Sequence, residues 1–273
     1  MNKILTILSV LTISLVYGQE SKKFTNDEIN IKLDSIMVEA NLLYQYEKSA
    51  WISTDLANEN KKIRKKFGGF LTYKSNDTIK TIIFDKERNK CIAEYIFIDD
   101  FKKPNKEIIA ERNFTLTEQN LQKTKEIILE QLTDKKFDVG VPEGFNLNPI
   151  LIPENEKYKL YLITGTSQSN VIPFGNDYLF QTDKNGKIES WKRFHSRLIP
   201  TYTTTPNGGK VTETTHSHLR TNPFISATDI CTFKLYGKLY DLNEFSIYSP
   251  ALGIYLKYNL SKDKVEIVEI VEK

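Results

Sequence analysis

Several residue types are scarce in this chain. Histidine occurs three times, and cysteine, methionine and tryptophan twice each, in 273 residues. Two cysteines are too few for a disulfide-built scaffold, an all-thiolate zinc site or an iron–sulfur cluster. They allow one bridge at most, and spacing alone does not show whether Cys91 and Cys231 come within reach of each other. Cys91 opens the apolar run "CIAEYIFID" and Cys231 lies in "DICTFKLY", contexts that favour buried free thiols. Charge of one sign is also lacking. Lys and Arg total 38 against 35 Asp and Glu, a net +3 that leaves no broad basic face and argues against a nucleic-acid partner. The densest basic run, "KKIRKK" at Lys61–Lys66, has no aromatic interleaving and reads as a solvated helix end or loop.

Long apolar runs are absent beyond the first residues. "MNKILTILSVLTISLVYG" sets Lys3 before an apolar stretch from Ile4 to Val16 and closes on Gly18. A basic start, an apolar middle and a small residue at the cut form the layout of a secretory signal peptide over residues 1–18. The mature chain is expected to begin near Gln19 or Glu20, in a secreted or periplasmic setting. The apolar stretch is short for a bilayer span, so no integral membrane segment is expected after its removal.

What is present is an ordinary globular composition, 40% hydrophobic and 27% charged, with 14 Tyr and 15 Phe. "NDEINIKLDSIMVEANLLYQYEKSAW" keeps helical apolar spacing, with Thr25 or Asn26 as N-cap. "GGFLTYKS", "TIKTIIFD" and "CIAEYIFID" read as a three-stranded meander. Helix and meander together suggest an N-terminal α+β module of unknown role over residues 19–112. Thr115 and Glu118 have capping-box spacing before a second helix. "DVGVPEGFNLNPILIPENE", rich in Pro and Gly, is expected to be irregular. Beyond it strands dominate, with a hairpin about Asn185-Gly186, a strand ending in "THSH", a helix opening at Ser226, and three closing strands.

The chemistry concentrates in "THSHLRTNPFISATDIC". On a strand, His216 and His218 point to one face. Asp229, in the first turn of the next helix, can fold back beside them as a third ligand. Two neutral imidazoles and a carboxylate suit a catalytic zinc ion with an open fourth position. The same Ser-x-x-Asp also fits a plain helix cap. His195, in "KRFHSRLI", is left open: strand register decides whether it faces the pair or turns away.

The string His216-x-His218-x7-Ser226-x2-Asp229 resembles the zinc signature of the JAMM (MPN-type) metallopeptidases. The resemblance covers residues 113–273 in order of elements and fourteen residues in motif. It implies an MPN-like α/β sandwich in which a mixed sheet is flanked by helices, within the α+β class. It implies zinc held by His216, His218 and Asp229, with Ser226 assisting at an oxyanion. An upstream glutamate would act as general base, and Glu156 precedes the right kind of strand; Glu154, Glu189 and Glu213 remain alternatives. The implied activity is zinc-dependent hydrolysis of a peptide, isopeptide or other amide in the envelope or outside the cell. Leu219 stands where the family usually has Pro, and Thr214 and Thr215 stand where an aromatic is common. A metal-binding scaffold without catalysis, or an envelope binding protein without metal, are the alternatives.

Overall fold

The structure, a computed structural model, describes residues 24–269. The signal segment expected at residues 1–18 lies outside the described residues. The first helix, α1 (Asn26–Glu59), starts where Thr25 and Glu28 close a capping box. Its apolar positions Ile29, Leu33, Ile36, Ala40 and Leu43 are buried at helical spacing. The short α2 (Lys61–Lys66) buries only Ile63 and keeps its basic side chains at the surface. An antiparallel meander follows: β1 (Phe67–Ser75), β2 (Thr78–Asp85) and β3 (Lys90–Phe97), with β4 (Lys106–Ile108) and β5 (Arg112–Asn113) both pairing with β3.

Next comes α3 (Leu116–Gln131), capped by Thr115 as its spacing with Glu118 predicts. β6 (Asn146–Glu154) forms inside the stretch expected to be irregular and makes a hairpin with β7 (Lys157–Gly165), which follows it. Pro149 and Pro153 are tolerated because β6 lies at the edge of its sheet, ordered β10-β9-β7-β6. An edge residue can present a missing N–H to solvent. β8 (Val171–Gly175) and β11 (Leu198–Tyr202) pair with each other, while β9 (Tyr178–Thr182) and β10 (Ile188–Arg193) make the expected hairpin through Gly186. Gly186 has φ +81°, the left-handed conformation glycine supplies without strain.

β12 (Thr214–Ser217) carries the histidine pair and leads through a loop into α4 (Ala227–Tyr236). β13 (Glu244–Ser249), β14 (Ile254–Asn259) and β15 (Lys264–Glu269) close the fold. β12 runs parallel to β13, with α4 as the crossover, and the remaining pairs of this sheet are antiparallel. The class is α+β.

The apolar core does not divide at residue 112. Ile29, Leu33, Ile36 and Leu43 of α1 belong to one buried cluster with Ile230, Phe233, Phe245 and Leu256. Each such side chain contributes about 1.5–3 kcal/mol on leaving water. The helix assigned by sequence to an N-terminal module therefore packs directly against the elements that carry the histidines and aspartate. Cys91 and Cys231 are free and buried, and burial pushes both thiols up from their usual range. No helix of the described residues is long and apolar enough to cross a membrane.

Candidate metal centre

Three segments bring four side chains to one point. His216 sits on β12, and His218 follows it where the backbone still pairs with β13, its N–H donating to the Tyr248 carbonyl at 2.9 Å. Asp229 is the third residue of α4, inside a capping box in which the Ser226 hydroxyl accepts from its N–H at 2.9 Å. His195 arrives by a route the strand pattern does not suggest. β10 pairs only with β9 and stops at Arg193, so no register with β12 exists. His195 lies in a bend strapped to the turn after β8: Phe194 N–H donates to the Asp177 carbonyl, and Asn176 N–H to the Arg197 carbonyl, both at 3.1 Å. Gly175 permits this approach. Its φ is +75°, and a Cβ there would stand 2.4 Å from the Arg197 oxygen and 3.3 Å from His195 Cβ.

One ligand atom from each of His195, His216, His218 and Asp229 lies within 4.8 Å of all the others, so the cluster can hold a metal ion. The separations are specific. His195 Nε2 is 3.1 Å from His218 Nε2 and 3.3 Å from Asp229 Oδ1. His216 Nε2 is 3.4 Å from Asp229 Oδ1, and His218 Nε2 is 3.1 Å from Asp229 Oδ2. Donors bonded to zinc at about 2.0–2.1 Å in a tetrahedron stand about 3.3–3.4 Å apart. Yet His216 Nε2 and Asp229 Oδ1, both buried, make no hydrogen bond. Orphaned buried polar atoms are costly unless something absent from the chain itself satisfies them. The residues present fit a cation.

The outer contacts orient the rings. His218 Nδ1 faces the Asn222 carbonyl at 3.2 Å, and a carbonyl can only accept, so the proton is on Nδ1 and the Nε2 lone pair points inward. His195 Nδ1 meets Asp177 Oδ1 at 2.7 Å and is oriented the same way. The other Asp177 oxygen accepts from the Thr228 hydroxyl. Phe174 and Phe245 pack against the His216 ring, 5.1 and 6.2 Å between centroids.

Without an ion the electrostatics are tense. Burial pulls the His195 imidazolium down, but the Asp177 and Asp229 carboxylates outweigh it and raise its pKa to about 9. Burial holds His216 below its ordinary value against the pull of Asp229. Asp229 is 1% exposed. Burial alone would raise its carboxyl, but His195, His216 and His218 together hold it well below the usual range.

The structure thus brings His216, His218, Asp229 and Ser226 together. Ser226 donates its hydroxyl to Asp229 Oδ2 at 2.6 Å, so that proton is already engaged. Glu156 stands elsewhere. With Asn155 it forms the exposed turn joining β6 to β7, with φ +61°. β7 pairs with β9 so that Leu162 faces Tyr178, next to Asp177, which puts Glu156 about 20 Å away along the strand. Glu154 and Glu189 are exposed and pair with Lys159 and Lys157. Glu213 lies 3.6 Å from Lys257, outside the cluster.

A pocket of about 210 Å³ opens onto His218 and Ser226, and the glutamate in its wall is Glu39 of α1. Sequence reasoning left His195 open on a strand register that does not exist, and it missed its partner Asp177 and Glu39, which carry no local signal. Compared with known protein families, with curated proteins and with solved structures, the chain matches none.

Proposed function

We propose that the chain is a zinc-dependent hydrolase of peptide or other amide bonds, of JAMM-like type, working in the envelope or outside the cell. The observation that supports it is the set of inward-facing His and Asp donors, all within 4.8 Å of one another with four pairs at 3.1–3.4 Å, bordering an open pocket. His216, His218 and Asp229 would hold the ion, with His195 beside them. When bound, zinc supplies Lewis acidity toward a carbonyl and toward water. The chain's own residues do the rest. Glu39, whose carboxylate accepts from the Tyr161 hydroxyl in the pocket wall, takes a proton from the attacking water and delivers it to the leaving nitrogen. The water oxygen joins the carbonyl carbon, the C–N bond breaks, and an acid and an amine leave. Ser226 fixes the Asp229 carboxylate rather than the substrate. The lysine-led apolar stretch at residues 1–18, read from the sequence as a signal peptide, is what supports the extracytoplasmic setting.

A second reading has its own observation. His195 makes the cluster a four-donor set, and four protein ligands close a zinc site for structural use. Metal content and turnover separate the two. The hydrolase reading expects about one zinc per chain, lost in a His216→Ala/His218→Ala variant, and cleavage of N-acylated dipeptides that stops on chelation and in Glu39→Gln. The structural reading expects the same zinc with no cleavage of any amide, and a large fall in melting temperature on chelation. Absence of metal uptake would end both.

A further inference from the structure

The pocket at His218 and Ser226 has a composition that selects a ligand. Its walls come from three places: α1, the end of β10, and the loop ahead of α4. Ile36, Phe194 and Phe224 give it an apolar strip within a lining that is on balance more polar than apolar. Two lysines, Lys32 and Lys192, stand at its rim, both exposed. Neither is in an ion pair among the described residues. The Lys192 ammonium lies 4.3 Å from the centroid of the Phe194 ring. Burial lowers the Lys192 pKa; Glu39 works against that and the like charge of Lys32 adds to it. Two like charges held near each other repel, and an anion between them removes that cost. Glu39 neutralises one of them at most, and its carboxylate is also engaged by the Tyr161 hydroxyl.

An apolar strip beside polar groups, with a surplus positive charge at the rim, matches one common group: an amino-acid residue with an apolar side chain and a free carboxylate. At about 210 Å³ the pocket is below the 300–1,000 Å³ of drug-sized ligand sites, in keeping with a single residue. We infer that the pocket receives the carboxyl-terminal residue of a peptide, its side chain against Phe194 and Phe224 and its carboxylate between Lys32 and Lys192. The inference rests on the hydrolase reading, and it makes the reaction removal of one residue from the carboxyl end: water and peptide give a shortened peptide acid and a free amino acid. It also gives α1 a task, since Lys32 and Glu39 both come from that helix.

The test uses full-length zinc-loaded protein and two pairs of probes. Binding of N-acetylphenylalanine and of its carboxamide is measured by calorimetry, and hydrolysis of an N-acylated Gly-Phe and of its carboxamide by amine release. Both are repeated in Lys32→Gln/Lys192→Gln, with metal content checked. The expected result is that the free carboxylate binds about tenfold tighter or more. That preference vanishes in the double variant while zinc stays at the wild-type level, and in turnover it shows mainly in KM. A preference that survives in the double variant means the carboxylate goes to the metal, and overturns the inference. So does equal binding of acid and amide in the wild type. Preferential binding that depends on the lysines but comes without turnover upholds the pocket and removes the hydrolase. Turnover without any carboxylate preference does the reverse.

Discussion

Two capping boxes with nearly the same sequence end in opposite ways. At the start of α3, Thr115 and Glu118 exchange hydrogen bonds, and the Glu118 carboxylate is then fully used. Arg112 donates to both its oxygens at 2.7 and 2.8 Å, and the Tyr73 hydroxyl adds a third bond at 2.9 Å. At the start of α4, Ser226 and Asp229 make the same exchange, but Asp229 Oδ1 is left without a hydrogen bond and faces imidazole nitrogens. The difference lies in what stands opposite. A guanidinium, the Tyr73 hydroxyl and the cap N–H together satisfy Glu118 and make a structural joint between the meander and α3. Imidazoles that turn lone pairs inward give Asp229 a setting suited to a cation. The cap motif is therefore neutral about function, and the facing residue decides it.

The sharpest way to break this comparison is to exchange the roles. Asp229→Asn should abolish zinc binding outright, while Glu118→Gln should leave zinc stoichiometry at the wild-type value. Glu118→Gln should instead cost about 3 kcal/mol in urea unfolding, because Arg112 loses a buried charged partner. Should Glu118→Gln lose the metal as well, the two boxes are not independent.

A smaller effect comes from pH. In the metal-free protein His195 is raised from an ordinary 6.5 to about 9. Its protonated form therefore stabilises the fold fully below pH 6.5, and that stability drains away as pH rises to 9, about 3 kcal/mol in all. His216, shifted the other way, acts only below pH 6.5. Urea midpoints of chelated protein should fall across pH 6.5–9. The fall should be absent in His195→Gln and suppressed by zinc, since a ligated imidazole carries no proton. A flat profile for chelated wild type would show that the carboxylates do not hold that proton.

The smallest contrast sharpens the caps themselves. Thr115→Ala and Ser226→Ala should each cost about 1 kcal/mol of stability. Only Ser226→Ala should also weaken zinc binding, by about tenfold in a competition titration, because only there does the hydroxyl hold a ligand carboxylate. Equal zinc affinity in the two variants would reduce Ser226 to a cap.

These residues also show where sequence was readable. His216, His218, Ser226 and Asp229 were legible because a strand and a helix turn have fixed periods, and a short loop joins them. The N-caps of α1, α3 and α4 were legible for the same local reason. His195 was not, since its placement depends on β10 ending at Arg193 and on Gly175 admitting the bend, both matters of tertiary contact. Glu156 precedes a strand of the expected kind, but the β7–β9 register carries it to the opposite end of the sheet. Glu39 belongs to a helix far away in the chain, and nothing in its neighbourhood announces a pocket. The prolines of β6 read as breakers because edge position is invisible in one dimension.

The four ligand positions all fall within residues 195–229, whereas the pocket beside them needs α1, more than a hundred residues earlier. Closing short loops costs little entropy, and each doubling of loop length adds only about 0.6 kcal/mol. Contacts distant in the chain dominate the time a protein takes to fold. On the proposed reading, ion capture asks for the chain from β8 to β13 to be in order, while the pocket wall also waits for α1 to dock. A nascent chain would gain its metal before it gained a place to bind anything, so zinc uptake would report the first stage of maturation and ligand binding the last.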